Sequence, residues 1–141
     1  MARRNYYNRG DWYSEWSRNV ENRRIGFCDI DVCGICDKCW EPLYLAETCF
    51  DKGQTYKTTH TTERLATLAG LPSFLIFYKV EQNKIVRFRI KQLTPTKSEE
   101  FNYMYPSGWV GIMEMLQEQH DKVCKHKEAG WVYLVFATTT Y

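Results

Sequence analysis

Long apolar runs are missing from this sequence of 141 residues, as is an apolar segment near its start. No stretch approaches the roughly 18 apolar residues that suggest a membrane-spanning helix. The opening residues, M-A-R-R-N-Y-Y-N-R-G, lack the hydrophobic region of a signal peptide. We therefore expect no membrane association and a soluble, cytoplasmic protein. Its six cysteines should then be reduced, either as core residues or as metal ligands.

Internal repeats and linker-like segments are also missing, which indicates a single domain over 1–141. A recognisable arrangement of Ser, His and Cys for acyl transfer is missing too, so that chemistry is set aside. An apolar content of 44% and an aromatic content of 16% predict a folded globule with a real core. The net charge of +2 neither requires nor excludes a polyanionic partner.

The hydrophobic periodicity predicts an α/β or α+β fold with a mixed central sheet flanked by helices. Helices are expected over 10–22 and 59–69, and a last long helix from Pro106 or Ser107. Strands are expected over 27–33, 43–50, 73–80, 84–93 and 131–137, with a loop over 94–105. The strand over 73–80 is almost continuously apolar, which indicates burial on both faces and a parallel neighbour.

Each predicted helix has an apolar stripe that should face the core. The expected inward residues are Trp12, Trp16 and Val20 in the first helix, Leu65, Leu68 and Ala69 in the second, and Trp109, Ile112, Met113, Leu116, Val123 and Cys124 in the last.

Acidic residues interrupt the two apolar runs of the predicted hairpin. Asp29 and Asp31 lie two apart, so on a strand both project from one face. Glu47 lies in the returning strand, which the turn brings alongside the first. Carboxylates that converge on neighbouring strands suit Mg²⁺ or Mn²⁺. The alternative is that the aspartates are solvated and that Glu47 pairs with a lysine or an arginine.

This order of elements and acids resembles the PD-(D/E)XK superfamily, the restriction-endonuclease-like nucleases. Asp31 matches the first acid of its motif and Glu47 the second. The segment T-T-E-R-L-A-T-L-A-G-L-P-S-F-L-I-F-Y resembles the core helix and following strand, and small phage proteins of this type. The resemblance implies a nuclease-like core over about 10–93, with a C-terminal helix and strand over 106–137. It also implies a phage-encoded, Mg²⁺-dependent DNA endonuclease acting in the host cytoplasm.

The third motif position is Cys49, where the superfamily has a lysine. A thiol cannot supply a fixed positive charge to the transition state of phosphodiester hydrolysis. Members of the superfamily are known to relocate that lysine, and here Lys52 and Lys57 lie just downstream. The resemblance thus implies Asp31 and Glu47 as metal ligands, supported by Asp29. Lys57 or Lys52 would stabilise charge on the scissile phosphate.

Three cysteines of the predicted turn have the spacing of a zinc knuckle: Cys33, Cys36 and Cys39. A structural zinc needs a fourth ligand, and His120 with Cys124 is the better candidate pair, since i and i+4 share a helix face. The alternatives are a reduced, cysteine-rich turn and a hydrogen-bonded core histidine.

The strand over 84–93 alternates between apolar and basic side chains, so it should have one buried and one exposed basic face. Candidate DNA-phosphate ligands on that face are Arg87, Arg89 and Lys91, with Lys79 from the preceding strand. The alternative is a solvated strand. Two other functions also stay open: a zinc-stabilised module that binds DNA or protein without cutting, and a structural component of a phage. Whether the chain forms a homodimer is also open.

Overall fold

The computed structural model describes residues 28–125, together with Glu15, Trp16 and Asn19. Within this part of the chain, five strands form one mixed sheet in the order β1-β2-β3-β4-β5. The elements in chain order are β1 (Val32–Ile35), β2 (Pro42–Phe50), α1 (His60–Ala69), β3 (Ser73–Glu81), β4 (Lys84–Thr94), β5 (Asn102–Met104) and α2 (Pro106–Asp121). The predicted class, a mixed sheet with flanking helices, is confirmed.

The first strand of the hairpin, β1, lies further along the chain than the strand predicted over 27–33, whereas β2 agrees with the prediction over 43–50. The strands pair antiparallel, with Val32 opposite Ala46 and Gly34 opposite Tyr44. A Cβ on Gly34 would lie 2.0 Å from the Tyr44 ring, so only glycine lets that ring cross the strand. Pairing therefore continues through Gly34, which the prediction had assigned to the turn.

The predicted buried strand is confirmed as β3, which runs parallel to β2 from Leu45↔Ser73 to Phe50↔Tyr78. Its first five residues are all buried, as the continuous apolar run indicated. A parallel pair needs a crossover connection, and α1 supplies it. This helix ends at Gly70, whose φ of 69° is the left-handed conformation that a helix C-terminus favours.

The inward face of α1 was predicted wrongly. Its buried residues are Thr62 and Ala66, whereas Leu65 and Leu68 are 45% and 73% exposed. Ala69 is exposed as well. Small residues face the sheet because the helix approaches it closely enough for Thr62 to bond a strand carboxylate.

The C-terminal part of the sheet is more regular than predicted. β3 and β4 are antiparallel neighbours, and β4 also pairs with β5 inside the segment predicted to be a loop. The long helix α2 begins at Pro106, as expected. Val123 was predicted to face inward but lies beyond the helix and is 71% exposed.

The sheet has two buried faces with different coverings. One face packs against α2 around Ala46, Phe74, Ile76, Ile90 and Trp109, with Ile112, Met113 and Leu116 at its margin. The other, which we call the acidic face, packs against α1 and the 95–101 segment around Leu75, Phe77 and Leu93. Glu47 lies on the acidic face, because side chains alternate along β2 and Ala46 belongs to the first cluster.

Two predicted elements, the helix over 10–22 and the strand over 131–137, lie outside the described residues apart from Glu15, Trp16 and Asn19. None of the helices in the described part of the chain has the length and apolarity to span a bilayer.

Candidate functional sites

The hairpin brings Asp31 next to Glu47 at the start of the acidic face. Asp31 directly precedes β1, and the pairing of Val32 with Ala46 places it beside Glu47. The backbone N–H of Thr48 donates to Oδ2 of Asp31 at 2.8 Å, which anchors this carboxylate to β2. The two acids, 16 positions apart in sequence, are therefore neighbours on adjacent strands.

Lys57 links the two acids. Its Nζ lies 2.5 Å from Oδ2 of Asp31 and 3.1 Å from Oε2 of Glu47. A third bond, of 2.8 Å, runs to the backbone carbonyl of Thr48. Lys57 belongs to the loop over 51–59 between β2 and α1, which folds back across the acidic face.

The second oxygen of Glu47 is bonded from the opposite side. The hydroxyl of Thr62, in the first turn of α1, donates to Oε1 at 2.5 Å. Glu47 is only 6% exposed, so both of its oxygens need partners. No buried side-chain nitrogen or oxygen in the described residues lacks one.

Hydrogen bonds set the charge state of this cluster. Burial alone would raise the pKa of Asp31, but the bonds from Lys57 and from the Thr48 N–H outweigh it and hold that pKa below its usual value. Burial would likewise lower the pKa of Lys57, but its bonds with Asp31 and Glu47 raise that pKa instead. Asp31 and Lys57 are thus both charged at neutral pH.

The other residues predicted for this site lie apart from its centre. Asp29 is exposed in the segment before β1, outside the strand. Lys52 is exposed, and its backbone N–H donates to Gln54 Oε1. Cys49, at the third motif position, accepts a bond of 3.5 Å from the Gln54 amide. Of the two candidate lysines, Lys57 is the one that contacts the acids.

Arg89 is not on an exposed basic face, and that part of the prediction is wrong. It is 5% exposed, and its guanidinium bonds Asp51 at 2.8 Å and the Gln54 carbonyl at 2.6 Å. It also packs against the adjacent rings of Phe77 and Phe101, at 4.6 and 4.7 Å from their centroids. The hydrogen bond from Arg89 lowers the pKa of Asp51, helped by the Gly53 N–H.

The remaining candidate DNA ligands lie further along the acidic face. Lys79 and Arg87 are exposed register partners on β3 and β4. Lys91 is half-buried, with its ammonium 5.4 Å from the centroid of the Phe101 ring. Two exposed cations and one partly covered cation therefore remain from the four predicted.

A second cluster joins the hairpin turn to the end of α2. Cys36, Cys39, His120 and Cys124 have ligand atoms that all lie within 4.8 Å of one another, and this group could hold a metal ion. Cys39 Sγ is 3.1 Å from His120 Nε2, and Cys36 Sγ is 4.0 Å from Cys124 Sγ. His120 and Cys124, the predicted candidate pair, thus meet two of the three turn cysteines.

Cys33 is the turn cysteine that this cluster leaves out. It lies on β1, pairs with Leu45 and is exposed. Strand alternation turns it to the acidic face, away from α2. The prediction of Cys33 as a zinc ligand is therefore corrected: the pairing of β1 extends past it, and the turn begins at Cys36.

The pKa values of the two turn thiols, Cys36 and Cys39, are shifted in opposite directions. Burial raises the pKa of Cys36, but the N–H groups of Cys39 and Lys38 and the Gln117 amide outweigh it and lower the pKa to about 6. Burial and the neighbouring thiols raise the pKa of Cys39 to about 11. The lowered pKa of Cys36 favours the thiolate, the form of cysteine that binds soft metal ions.

Three features of these sites could not be predicted from the sequence: the Thr62 bond to Glu47, the Asp51–Arg89 pair and the absence of Cys33 from the cysteine-histidine cluster. Thr62 is one of four threonines within five residues, and nothing local distinguishes it. Asp51 and Arg89 lie 38 positions apart and meet only through the sheet.

Comparisons with protein families, curated proteins and solved structures find no match for this chain. The function is therefore inferred from the geometry of the two clusters.

Proposed function

We propose that the protein is a metal-dependent DNA endonuclease, with Asp31, Glu47 and Lys57 as its active-site residues. The observation that carries this proposal is the contact of one ammonium with both carboxylates. It answers the difficulty raised by Cys49, because a lysine from elsewhere in the chain reaches the same acids. A restriction-endonuclease-like core and a phage origin are part of the same proposal.

The donor set fits Mg²⁺ or Mn²⁺. Hard divalent cations prefer carboxylate and carbonyl oxygens, and Asp31, Glu47 and the Thr48 carbonyl together contact a single cationic centre, the Lys57 ammonium. A divalent ion bound by these oxygens would take the place of the ammonium, at the shorter distance of ~2.1 Å that Mg²⁺ requires.

Each residue then has a distinct role. Asp31 and Glu47 hold the ion, and Thr62 fixes the orientation of the Glu47 carboxylate through its hydroxyl. Lys57 places a positive charge where the scissile phosphate would gain negative charge. The bound ion would supply Lewis-acid activation of phosphate and water.

The test is cleavage of DNA in the presence of Mn²⁺ by the wild type and by Lys57→Met. We expect Lys57→Met to lose about 100-fold or more in cleavage rate, because it removes a charge used in the transition state. Calorimetry should show that this variant still binds Mn²⁺, and more tightly, since the competing ammonium is gone.

Lys52→Met is the comparison that separates the two candidate lysines, and it should cleave at the wild-type rate. Asp31→Asn should lose both cleavage and Mn²⁺ binding with the fold intact by circular dichroism. Equal cleavage by Lys57→Met and wild type would refute the assignment. A wild type that binds but never cuts duplex, single-stranded or branched DNA would instead favour the binding-module alternative.

We further propose that the metal of the second cluster is a structural zinc. Three thiols and one imidazole are a common zinc set, and Zn–S bonds of ~2.3 Å in a tetrahedron separate the ligand atoms by ~3.8 Å. The 4.0 Å between the sulfurs of Cys36 and Cys124 is close to that value, and the 3.1 Å between Cys39 Sγ and His120 Nε2 is shorter. Such an ion would tie the β1–β2 turn to the end of α2.

Metal analysis of protein purified without chelator should find about one zinc per chain. Cys39→Ser should lose the zinc and lower the unfolding temperature, because binding of a structural zinc is coupled to folding. Cys33→Ser is the matched control, since Cys33 lies outside the cluster. This variant should keep the zinc and the unfolding temperature of the wild type. Metal-free wild type with unchanged stability in Cys39→Ser would remove the zinc proposal and leave a reduced cysteine cluster.

A further inference from the structure

A cavity of about 330 Å³ opens on the acidic face, at the far end of the strands from Lys57. Its lining consists of Asp51, Gly53, Lys79, Arg87, Arg89 and Tyr103. The floor is the buried Arg89, whose guanidinium is held by Asp51 and by the Gln54 carbonyl. The cavity therefore has a rigid polar base beneath an exposed rim.

The rim carries free positive charge. The carboxylate of Asp51 is already paired with Arg89, which leaves Lys79 and Arg87 as the cations available to a ligand. Lys79 contacts the Glu81 carboxylate at 3.4 Å, but both side chains are about half exposed. Exposed pairs of this kind hold their partners weakly, so a phosphate can compete for the ammonium.

An aromatic ring stands beside these cations. Tyr103, on β5, is 66% exposed, and the Arg87 guanidinium lies 5.8 Å from the centroid of its ring. A ring with a free face next to two cations is the combination that binds unpaired nucleotides: the base stacks and the phosphate pairs with the charge. A base inside a duplex is already stacked and cannot offer its face.

We propose that this cavity binds an unpaired nucleotide of a single DNA strand, with its phosphate on Lys79 and Arg87 and its base on Tyr103. The substrate of the nuclease is then DNA with a single-stranded segment. The statement about the substrate depends on the proposed function, whereas binding of a nucleotide by the cavity does not.

The position of the cavity suits one continuous strand. Glu47 pairs with Leu75 on β3, and Lys79 lies four residues further along the same face. With ~3.3 Å per residue and ~4.8 Å between strands, the separation is about 14 Å. That equals about four stacked nucleotides at ~3.4 Å each. The loop over 51–59 connects the sites, since Asp51 and Gly53 line the cavity and Lys57 contacts the acids.

The experiment measures binding without cleavage, by fluorescence anisotropy of a labelled oligo-dT of about 12 nucleotides in EDTA. We expect Tyr103→Ala to weaken binding about tenfold, and Tyr103→Phe to bind as the wild type does, because the ring is retained. Tyr105→Ala is the matched control: it removes a tyrosine of similar exposure two residues away, outside the cavity, and should bind normally.

The cations give a second readout. Arg87→Ala should weaken oligo-dT binding and reduce the slope of log affinity against log salt by about 1. Lys122→Ala, an exposed cation at the end of α2 on the opposite side of the sheet, should change neither. The affinity for duplex DNA should be the same in Tyr103→Ala and in the wild type.

Equal oligo-dT binding by Tyr103→Ala, Tyr105→Ala and wild type would overturn this proposal, as would an equal loss on duplex DNA. A stronger effect with oligo-rU than with oligo-dT would reassign the ligand to RNA and overturn the DNA assignment. Because the assay contains no divalent metal, its outcome is independent of cleavage. If Tyr103→Ala loses oligo-dT binding but the wild type cleaves no DNA, the nuclease proposal is refuted and the proposed nucleotide-binding cavity is supported.

Discussion

At the scale of single residues, two sets of ion pairs organise the acidic face, one around Lys57 and one around Arg89. Lys57 joins Asp31 to Glu47, and Arg89 joins Asp51 to the loop backbone. The pairs differ in exposure: the side chains of Arg89 and Asp51 are 6% and 11% exposed, whereas Lys57 and Asp31 are 29% and 34% exposed. The buried pair therefore supports the fold, and the accessible pair is the one that the proposed nuclease would use.

The buried pair gives a prediction for stability. Asp51→Asn should lower the free energy of unfolding at pH 7 by about 3 kcal/mol, because Arg89 is left as a buried charge without a counter-ion. Chemical denaturation in urea measures this value. Asp29→Asn, at an exposed aspartate before β1, is the control and should change it by less than about 0.5 kcal/mol.

The pH dependence of this loss follows from the pKa of Asp51. That pKa is lower in the folded chain than its ordinary value of 3.8, so the pair stabilises the fold above about pH 4. Its contribution disappears as the pH falls through the folded pKa. The difference between wild type and Asp51→Asn should therefore shrink toward pH 3, and an undiminished difference there would show that its origin is not the carboxylate charge.

At the scale of elements, α1 shows how a helix can reverse an expected amphipathic pattern. Its leucines at 65 and 68 face outward, and the threonine and alanine at 62 and 66 face the sheet. Helix propensity does not distinguish the two orientations. The close approach decides between them, because larger residues would lift Thr62 away from the Glu47 carboxylate.

This orientation gives a second stability prediction. Ala66→Leu should lower the free energy of unfolding by about 1 to 3 kcal/mol, because Ala66 is fully buried and a larger side chain overpacks the interface. Leu68→Ala should change it by no more than about 0.5 kcal/mol, since Leu68 is largely exposed. Urea denaturation of both variants decides the matter, and the reverse order of losses would indicate that the predicted face is the buried one.

At the scale of the whole molecule, the β1–β2 hairpin connects the two clusters. Its strands position Asp31 and Glu47, and its turn positions Cys36 and Cys39 against α2. Among the strands that the structure describes, β1 lies at the edge of the sheet, has only four residues and pairs with β2. An ion in the cysteine-histidine cluster would therefore also steady β1, the strand that directly follows Asp31 and pairs with the strand of Glu47.

Local patterns were sufficient for β3, for the start of α2 and for the extent of β4. In each of these the hydrophobic period or a terminal proline specifies the element without reference to its neighbours. The same patterns predicted the extent of α1 but not its buried face, and they missed β5. The three residues of β5 are too few to show a period, and they form a strand only because β4 offers a free edge.

The sequence by itself determined which residues were available for chemistry: two acids on consecutive apolar runs, a lysine downstream, closely spaced cysteines and a His-x₃-Cys pair. Only the tertiary structure decided which of them meet. Parallel pairing of β2 with β3 folds the intervening loop over the acidic face, so Lys57 contacts the carboxylates and Lys52 does not. The hairpin register excludes Cys33 from the cluster, and the sheet buries Arg89 against Asp51 while leaving Arg87 exposed. Contacts between residues tens of positions apart depend on strand register, and a shift of one residue reverses the face on which every side chain lies.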